Sequence, residues 1–218
     1  MEKTKTFITV IPFQGQDEQG NDMLKPVLYS PAGNTRLAYG ETRFPIIPVI
    51  NGYAKKDDKI RVIAILSDGA NFMHNFETYF KPEVEALVKN NELKLDEIEV
   101  IQVSDKEDID TQLKLFSDLI DKVENNEEIF ACITYGTKPT PIVINMALNY
   151  AYRIKEDVNI GCIVYGRYLH TDSTGTLYDT TALFYLESVV NKVADMNVKD
   201  PEKAIRAMLD FKGGEGND

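Results

Sequence analysis

Short apolar runs rich in β-branched residues recur along the chain and predict five β-strands. They cover residues 7–11, 60–66, 98–101, 129–133 and 160–165. The second, fourth and fifth runs are nearly continuous apolar stretches, as in parallel strands that are covered on both faces. The pattern therefore predicts a sheet whose central strands are fully buried.

The segments between these runs have apolar residues three or four positions apart, which is the period of a helix. One segment predicts a single buried stripe formed by Ile109, Leu113, Phe116, Ile120 and Val123. The segment 139–155 has the same spacing at Ile142, Val143, Met146, Tyr150 and Ile154. Further helices are expected after His74 or Asn75 and at 183–193. This alternation predicts an α/β fold: Rossmann-like and doubly wound, with a mostly parallel sheet and helices on both faces.

Two regions interrupt the alternation. Residues 13–41 are rich in glycine and proline, which predicts either a hairpin excursion or a flexible flap. Residues 167–178 predict a β-hairpin insertion with its tip at 172–176. We expect one ligand-sensing domain over residues 1–196. A helix and a linker-like tail are expected at 197–218, and the tail is either a true end or the join to an effector domain.

Composition narrows the functional classes. The chain has 218 residues and a formal net charge of -11, which argues against binding of long nucleic acid. Its two cysteines and two histidines have no zinc-site spacing, so we expect neither a metal nor a cofactor. No run is long enough for a membrane helix and no signal peptide is recognisable, so a cytoplasmic protein without a membrane partner is expected.

Ligands of an open α/β sheet bind beyond the carboxyl ends of its strands, and four loops are expected to meet there. The candidate ligand-binding residues in these loops are Phe13, Gln14, Gly15, Ser67, Asp68, Asn71, Thr134, Tyr135, Gly136, Thr137, Lys138, Pro139 and Arg167. For Asp68 and Asn71 a turn with a side-chain cap is an equal alternative, and for Arg167 a solvated side chain. Neither a GxGxxG nor a GxxxxGK[ST] motif is present, so dinucleotide and P-loop binding have no direct support.

The loop after the fourth run carries the strongest chemical signal. Gly136 permits a sharp turn, Lys138 supplies a positive charge, and a helix is predicted to begin beside two prolines. Free N–H groups at a helix start favour an anion. The alternative is a plain strand-to-helix turn with threonine caps. The loop predicts a phosphate-bearing ligand.

The same loop resembles a known family. Residues 132–141, CITYGTKPTP, are similar to the THGFRxxP stretch of the CRISPR-associated Rossmann-fold (CARF) sensors, in the branch marked by a DxTHG motif. The likeness continues through ALNY at 147–150, YG at 165–166 and LYDTTAL at 177–183, and covers roughly residues 129–196. The family's aspartate, histidine and arginine correspond to Cys132, Tyr135 and Lys138.

The resemblance implies a homodimer that binds a cyclic oligoadenylate, most plausibly cyclic tetra-adenylate, across its two-fold axis. The chain would be a sensor in type III CRISPR antiviral signalling and would regulate a fused or associated effector. An alternative is a stand-alone, metal-independent ring nuclease that degrades this ligand, in which Lys138, Tyr135 and Thr134 would be the catalytic candidates. A third hypothesis is an unrelated Rossmann-like enzyme that uses a nucleotide or sugar phosphate.

Overall fold

A computed structural model describes residues 3–169, 173–196 and 198–210. Its strands are β1 (Thr4–Val10), β2 (Val27–Ala32), β3 (Gly40–Thr42), β4 (Lys59–Ser67), β5 (Lys94–Val103), β6 (Glu127–Cys132), β7 (Asn159–Leu169) and β8 (Thr174–Asp179). Its helices are α1 (Ile47–Tyr53), α2 (Ala70–Asn75), α3 (Lys81–Asn90), α4 (Ile109–Lys122), α5 (Thr140–Ile154), α6 (Thr181–Asp195) and α7 (Pro201–Asp210). A π-helical turn, Phe76–Phe80, joins α2 to α3.

The strands form one sheet in the order β3-β2-β8-β7-β6-β1-β4-β5. Neighbours from β5 to β7 are parallel, β8 is antiparallel to β7, and β2 and β3 extend the sheet beyond β8. The five predicted runs are β1, β4, β5, β6 and β7, and they form the parallel part of the sheet. The predicted fold class, an α/β Rossmann-like fold with a mostly parallel sheet, is confirmed.

Helices cover both faces of the parallel strands. Phe7 and Val62 point to one face, where they share a buried cluster with Ile50 of α1 and Val84 of α3. The adjacent residue Ile8 is equally buried on the opposite face, because successive side chains of a strand alternate. There α4 and α5 contact each other. In addition, α4 contacts β5, and α5 contacts β7. The alternating burial explains the continuous apolar runs.

The two interrupting regions add strands to the sheet. Residues 13–41 contain β2 and β3, so the region joins the sheet as a short excursion. In the second region β7 and β8 form the predicted antiparallel hairpin. The predicted tip is wrong at residues 174–176, because Thr174, Gly175 and Thr176 pair with β7 in the ladder. In the rest of the predicted tip, Ser173 is an exposed turn residue, whereas Asp172 lies outside the described residues, as does the tail at 211–218.

The predicted start of the second helix is also wrong. The helical segment begins at Ala70, ahead of His74 and Asn75. Asn75 is buried, and its side-chain amide donates to the carbonyls of Pro12 at 2.9 Å and Gln14 at 2.8 Å. It therefore anchors the loop after β1 rather than capping a helix.

The predicted apolar stripes of α4 and α5 are only partly buried. Leu115 and Leu119 are the buried leucines of α4, whereas Ile109 is 69% exposed and Leu113 is 56% exposed. In α5, likewise, residues such as Ala147 are buried, whereas Ile142, Met146 and Ile154 are exposed. The spacing correctly predicted both helices, but these side chains face outward in the single chain.

A buried ion-pair network lies in the amino-terminal half of the central strands. Arg61 of β4 pairs with Glu127 of β6 at 2.5 Å and with Glu99 of β5. Burial raises the pKa of Glu127, although hydrogen bonds such as that from the Thr6 hydroxyl at 2.8 Å oppose the rise. Burial also disfavours ionised Glu99, but hydrogen bonds from Lys122 and Arg61 outweigh it and lower the pKa of that carboxyl. The network joins three strands at the edge of the sheet away from the predicted site.

The chain divides into two compact units, Met1–Thr180 and Thr181–Asp218. The first contains the whole sheet and helices α1 to α5. The second contains α6 and α7, so the division falls one helix before the boundary expected at residue 196. Among the residues that the structure describes, no helix has the length and apolar character needed to cross a membrane.

Candidate functional site

A cavity of about 520 Å³ lies at the carboxyl ends of β1 and β6. The connection from β1 to its parallel neighbour β4 contains α1, on one face of the sheet. The connection from β6 to its parallel neighbour β7 contains α5, on the other face. Such a switch point is where ligands bind in open α/β sheets. We call it the switch-point cavity. Its lining residues are Ile11, Pro12, Phe13, Gln14, Ser67, Phe72, Glu107, Thr134, Tyr135, Gly136, Thr137 and Lys138.

The loop between β6 and α5 supplies the donors for an anion. Gly136 has a φ of 103°, a conformation that side chains rarely adopt, and a Cβ there would lie 3.0 Å from Thr140. The backbone N–H groups of Gly136, Thr137 and Lys138 donate to no acceptor among the described residues. Successive unengaged N–H groups form a concave site for an anion. The loop backbone is therefore the candidate anion-binding element.

The first N–H groups of α5, which the sequence predicted to be free, are already engaged. Thr140 donates to the carbonyl of Thr137 at 3.0 Å, and Val143 donates to that of Pro139 at 3.1 Å. Pro141 has no N–H group. The free donors thus precede the helix, in the loop that enters it.

Two predicted ligand-binding hydroxyls are used within the protein. The Thr134 hydroxyl accepts the Gly166 N–H at 2.8 Å and lies 3.1 Å from the Cys132 sulfur. The Tyr135 hydroxyl donates to the Arg43 carbonyl at 3.0 Å. Burial, with the neighbouring Tyr29 hydroxyl, raises the pKa of Tyr135 well above its ordinary value. Both side chains shape the cavity wall instead of offering a free donor.

Two charged side chains line the cavity. Lys138 is exposed and makes no ion pair within the described part of the chain. Glu107, from the loop between β5 and α4, lies in the same lining and was not predicted. The sequence could have indicated Glu107, because it follows the parallel strand β5, whose carboxyl end lies at the same edge of the sheet. The site thus combines a cation with a carboxylate.

The loop after β1 is held from behind by α2. Asn75 binds two of its carbonyls, as described above, and Asn71 packs against Gly15. A Cβ on Gly15 would lie 2.5 Å from the Asn71 amide nitrogen, so any larger residue would displace the loop or Asn71. Phe13 at the rim is 65% exposed and lies beside Phe72, with ring centroids 6.4 Å apart.

Some predicted residues do not line this cavity: Gly15, Asp68, Asn71, Pro139 and Arg167. The Asp68 N–H donates to Val103 at 2.8 Å, so this turn holds β4 to β5. Arg167 is exposed on β7. The adjacent positions of this strand, Gly166 and Tyr168, lie on the other face of the sheet. The cavity also contains Ile11, Pro12, Phe72 and Glu107, none of which was predicted.

A smaller cavity of about 240 Å³ adjoins the first one, and we call it the inner cavity. Gln14, Thr134 and Tyr135 line both cavities. The other residues of the inner cavity are Met23, Leu24, Lys25, Val27, Tyr29 and Tyr168. None of these six was predicted from the sequence. Five of them lie in β2 or just before it, in the region predicted to be a hairpin excursion or a flap, and Tyr168 lies on β7.

No protein-family model and no curated protein sequence matches the chain. Over the described ranges, no group of three or more His, Cys, Asp or Glu side chains is arranged to hold a metal ion.

Proposed function

We propose that this protein is a cytoplasmic sensor domain for a cyclic oligoadenylate, most plausibly cyclic tetra-adenylate, in type III CRISPR antiviral signalling. It acts as a homodimer and regulates a fused or associated effector. One observation carries the proposal: the unengaged N–H groups of Gly136, Thr137 and Lys138 line a cavity at the switch point of the sheet, beside the unpaired Lys138 ammonium. These groups suit a phosphodiester.

The size of the cavity supports a shared ligand. About 520 Å³ falls within the usual range for one drug-sized molecule. A ring of four nucleotides is larger than this volume, so one copy of this cavity holds only part of it. Two identical cavities facing each other across a two-fold axis would offer each half of a symmetric ring the same contacts.

An apolar surface beside the cavity supports a dimer. The exposed residues Ile109 and Leu113 of α4 and Ile142 and Met146 of α5 lie on two helices that contact each other. Cavity residue Glu107 stands two positions before the first of these, and Lys138 stands four positions before Ile142. Pairing of this surface with itself would bury the apolar side chains and bring the two cavities together.

Calorimetry with cyclic tri-, tetra- and hexa-adenylate tests the proposal. We expect saturable binding of one ring, with a stoichiometry of one ring per two chains. Binding of a common mononucleotide at one per chain, without affinity for any ring, would instead support the unrelated nucleotide enzyme.

Glu107 favours a second candidate, the ring nuclease. A carboxylate repels phosphate, so binding alone does not explain Glu107 in an anion site. General base catalysis would explain it. Glu107 would remove the proton of a ribose 2′-hydroxyl, whose oxygen would then attack the adjacent phosphorus. The bond from phosphorus to the 5′-oxygen would break, and that oxygen would take a proton from water. The products would be a 2′,3′-cyclic phosphate and a 5′-hydroxyl, while Lys138 would stabilise the charge on the phosphoryl oxygens.

Incubation with cyclic tetra-adenylate followed by chromatography separates the two candidates. Linear products from the wild type, lost in Glu107→Gln with binding retained, are expected of a ring nuclease. An intact ring after long incubation leaves the sensor as the function.

A further inference from the structure

The Gln14 side chain, which lines both cavities, contains an unpaired acceptor. Its amide oxygen is buried and accepts no hydrogen bond from any described residue. Leaving a buried carbonyl oxygen without a donor destabilises the folded state, so such atoms are rare. The neighbouring Thr134 and Tyr135 hydroxyls are engaged by Gly166 and Arg43. Gln14 therefore points to a ligand that carries an N–H or O–H donor.

The rest of the inner cavity selects a flat and largely apolar group. Tyr135 and Tyr168 supply aromatic surface, the fully buried Tyr29 completes the wall, and Leu24 and Val27 supply aliphatic surface. A volume of about 240 Å³ is below the range for whole drug-sized ligands, so the space suits a single ring system. The rest of a larger ligand would remain in the switch-point cavity.

We propose that the inner cavity is a nucleobase subsite that selects a base with an exocyclic amine through the Gln14 amide oxygen. Unstacked bases are recognised in this way, with the ring face on aromatic side chains and a polar edge on an amide. The inference rests on the proposed function, because the phosphate attached to this base would lie on the loop at 136–138. It adds Gln14 as the specificity-determining residue and the three tyrosines as the walls.

The test compares two rings by calorimetry: cyclic tetra-adenylate, and the same ring with purine, which lacks the amine, in place of adenine. Each is titrated into the wild type, Gln14→Leu, and Gln19→Leu as the matched control. Gln19 is exposed in the same segment, and its side chain has no described contact. The wild type and Gln19→Leu are expected to prefer the adenine ring by about tenfold, as for one hydrogen bond. Gln14→Leu is expected to bind both rings equally, at the level of the purine ring in the wild type.

Adenosine, which has the base but no phosphate, separates this inference from the proposed function. Adenosine binding that Gln14→Leu weakens and Lys138→Glu leaves unchanged would support the subsite even if no ring is bound. Equal affinity of the wild type for both rings would overturn it. So would a preference for adenine that survives in Gln14→Leu, or the absence of binding of both rings and adenosine.

Discussion

The backbone N–H of Gly166 donates to the hydroxyl of Thr134 at 2.8 Å, joining the loop after β6 to the strand β7 beside it. Gly166 is buried, so this N–H depends on that hydroxyl for its acceptor. Thr134 stands in the stretch that resembles the CARF signature, yet its hydroxyl is engaged within the chain. The observed role of this hydroxyl is to hold the loop in place.

Replacement of Thr134 tests this anchoring role. Thr134→Val keeps the shape but leaves the Gly166 N–H without an acceptor, so we expect the free energy of unfolding to fall by about 1–3 kcal/mol. Thr134→Ser keeps the hydroxyl and serves as the control, with a smaller loss. Urea unfolding of the three proteins measures the difference. Equal stability of the valine and serine variants would contradict the role.

Lys138 is expected to contribute to ligand affinity and not to stability, because it is exposed and makes no ion pair within the described residues. Lys138→Glu should weaken cyclic tetra-adenylate binding by about tenfold or more, since it removes a charge-assisted contact and adds repulsion. Lys89→Glu makes the same charge change on exposed α3, at the other edge of the sheet. A similar loss in both variants would attribute the effect to net charge alone.

The sequence predicted the strands β1, β4 and β6 well because they are largely buried on both faces, whereas β5 lies at the edge of the sheet and is only partly buried. Each of the first three reads as an apolar run that needs no knowledge of its neighbours. The short strand β3 has no such run, since Gly40–Thr42 contains one glycine and two polar residues. Its pairing with β2 depends on contacts between distant parts of the chain, which no local pattern shows.

The helical period showed where α4 and α5 lie but could not show which apolar residues the chain itself buries. Leu115 and Leu113 are both apolar, and only the packing distinguishes the buried one from the exposed one. The site, too, was predicted only in part. The loop 134–138 could be predicted because its position after a central strand and its own residues both indicate a ligand-binding loop. The role of Asn75 and the inner cavity could not be predicted, because both depend on contacts between segments that are distant in the sequence.

The buried network around Arg61 is expected to stabilise the fold without affecting ligand binding. Arg61→Met removes the partner of two buried carboxylates, so we expect a loss of about 3–5 kcal/mol in the free energy of unfolding. Arg206→Met breaks an exposed i,i+4 pair in α7 and should change stability by no more than about 0.5 kcal/mol. Urea unfolding gives both values. An Arg61→Met protein as stable as the wild type would show that the network contributes no net stability.

Stability at alkaline pH is expected to depend on Tyr29. Burial raises the pKa of Tyr29 to about 12, whereas in the unfolded chain it ionises near pH 10. A raised pKa means that the folded state holds the proton more tightly. Its stabilising contribution is therefore complete below about pH 10 and is lost as the pH rises towards 12.

Tyr29→Phe removes this ionisation, so its free energy of unfolding should fall less steeply between pH 10 and 12 than that of the wild type. Urea unfolding at several pH values measures the slopes. Tyr39→Phe is the control, because Tyr39 is 64% exposed. Identical slopes for the wild type and Tyr29→Phe would show that Tyr29 does not limit alkaline stability.

The proposed dimer can be tested by introducing one charged residue into the apolar surface on α4 and α5. Met146→Glu places a carboxylate in that surface, and two-fold symmetry would bring a second copy of the charge close to the first. We expect the variant to be monomeric by light scattering at concentrations where the wild type is dimeric, and to lose affinity for cyclic tetra-adenylate. Met208→Glu is a matched control, since Met208 of α7 is also 50% exposed, the same fraction as Met146. If the Met208 variant dissociates and the Met146 variant does not, the contact between copies lies on the second unit, and the two switch-point cavities do not share a ring.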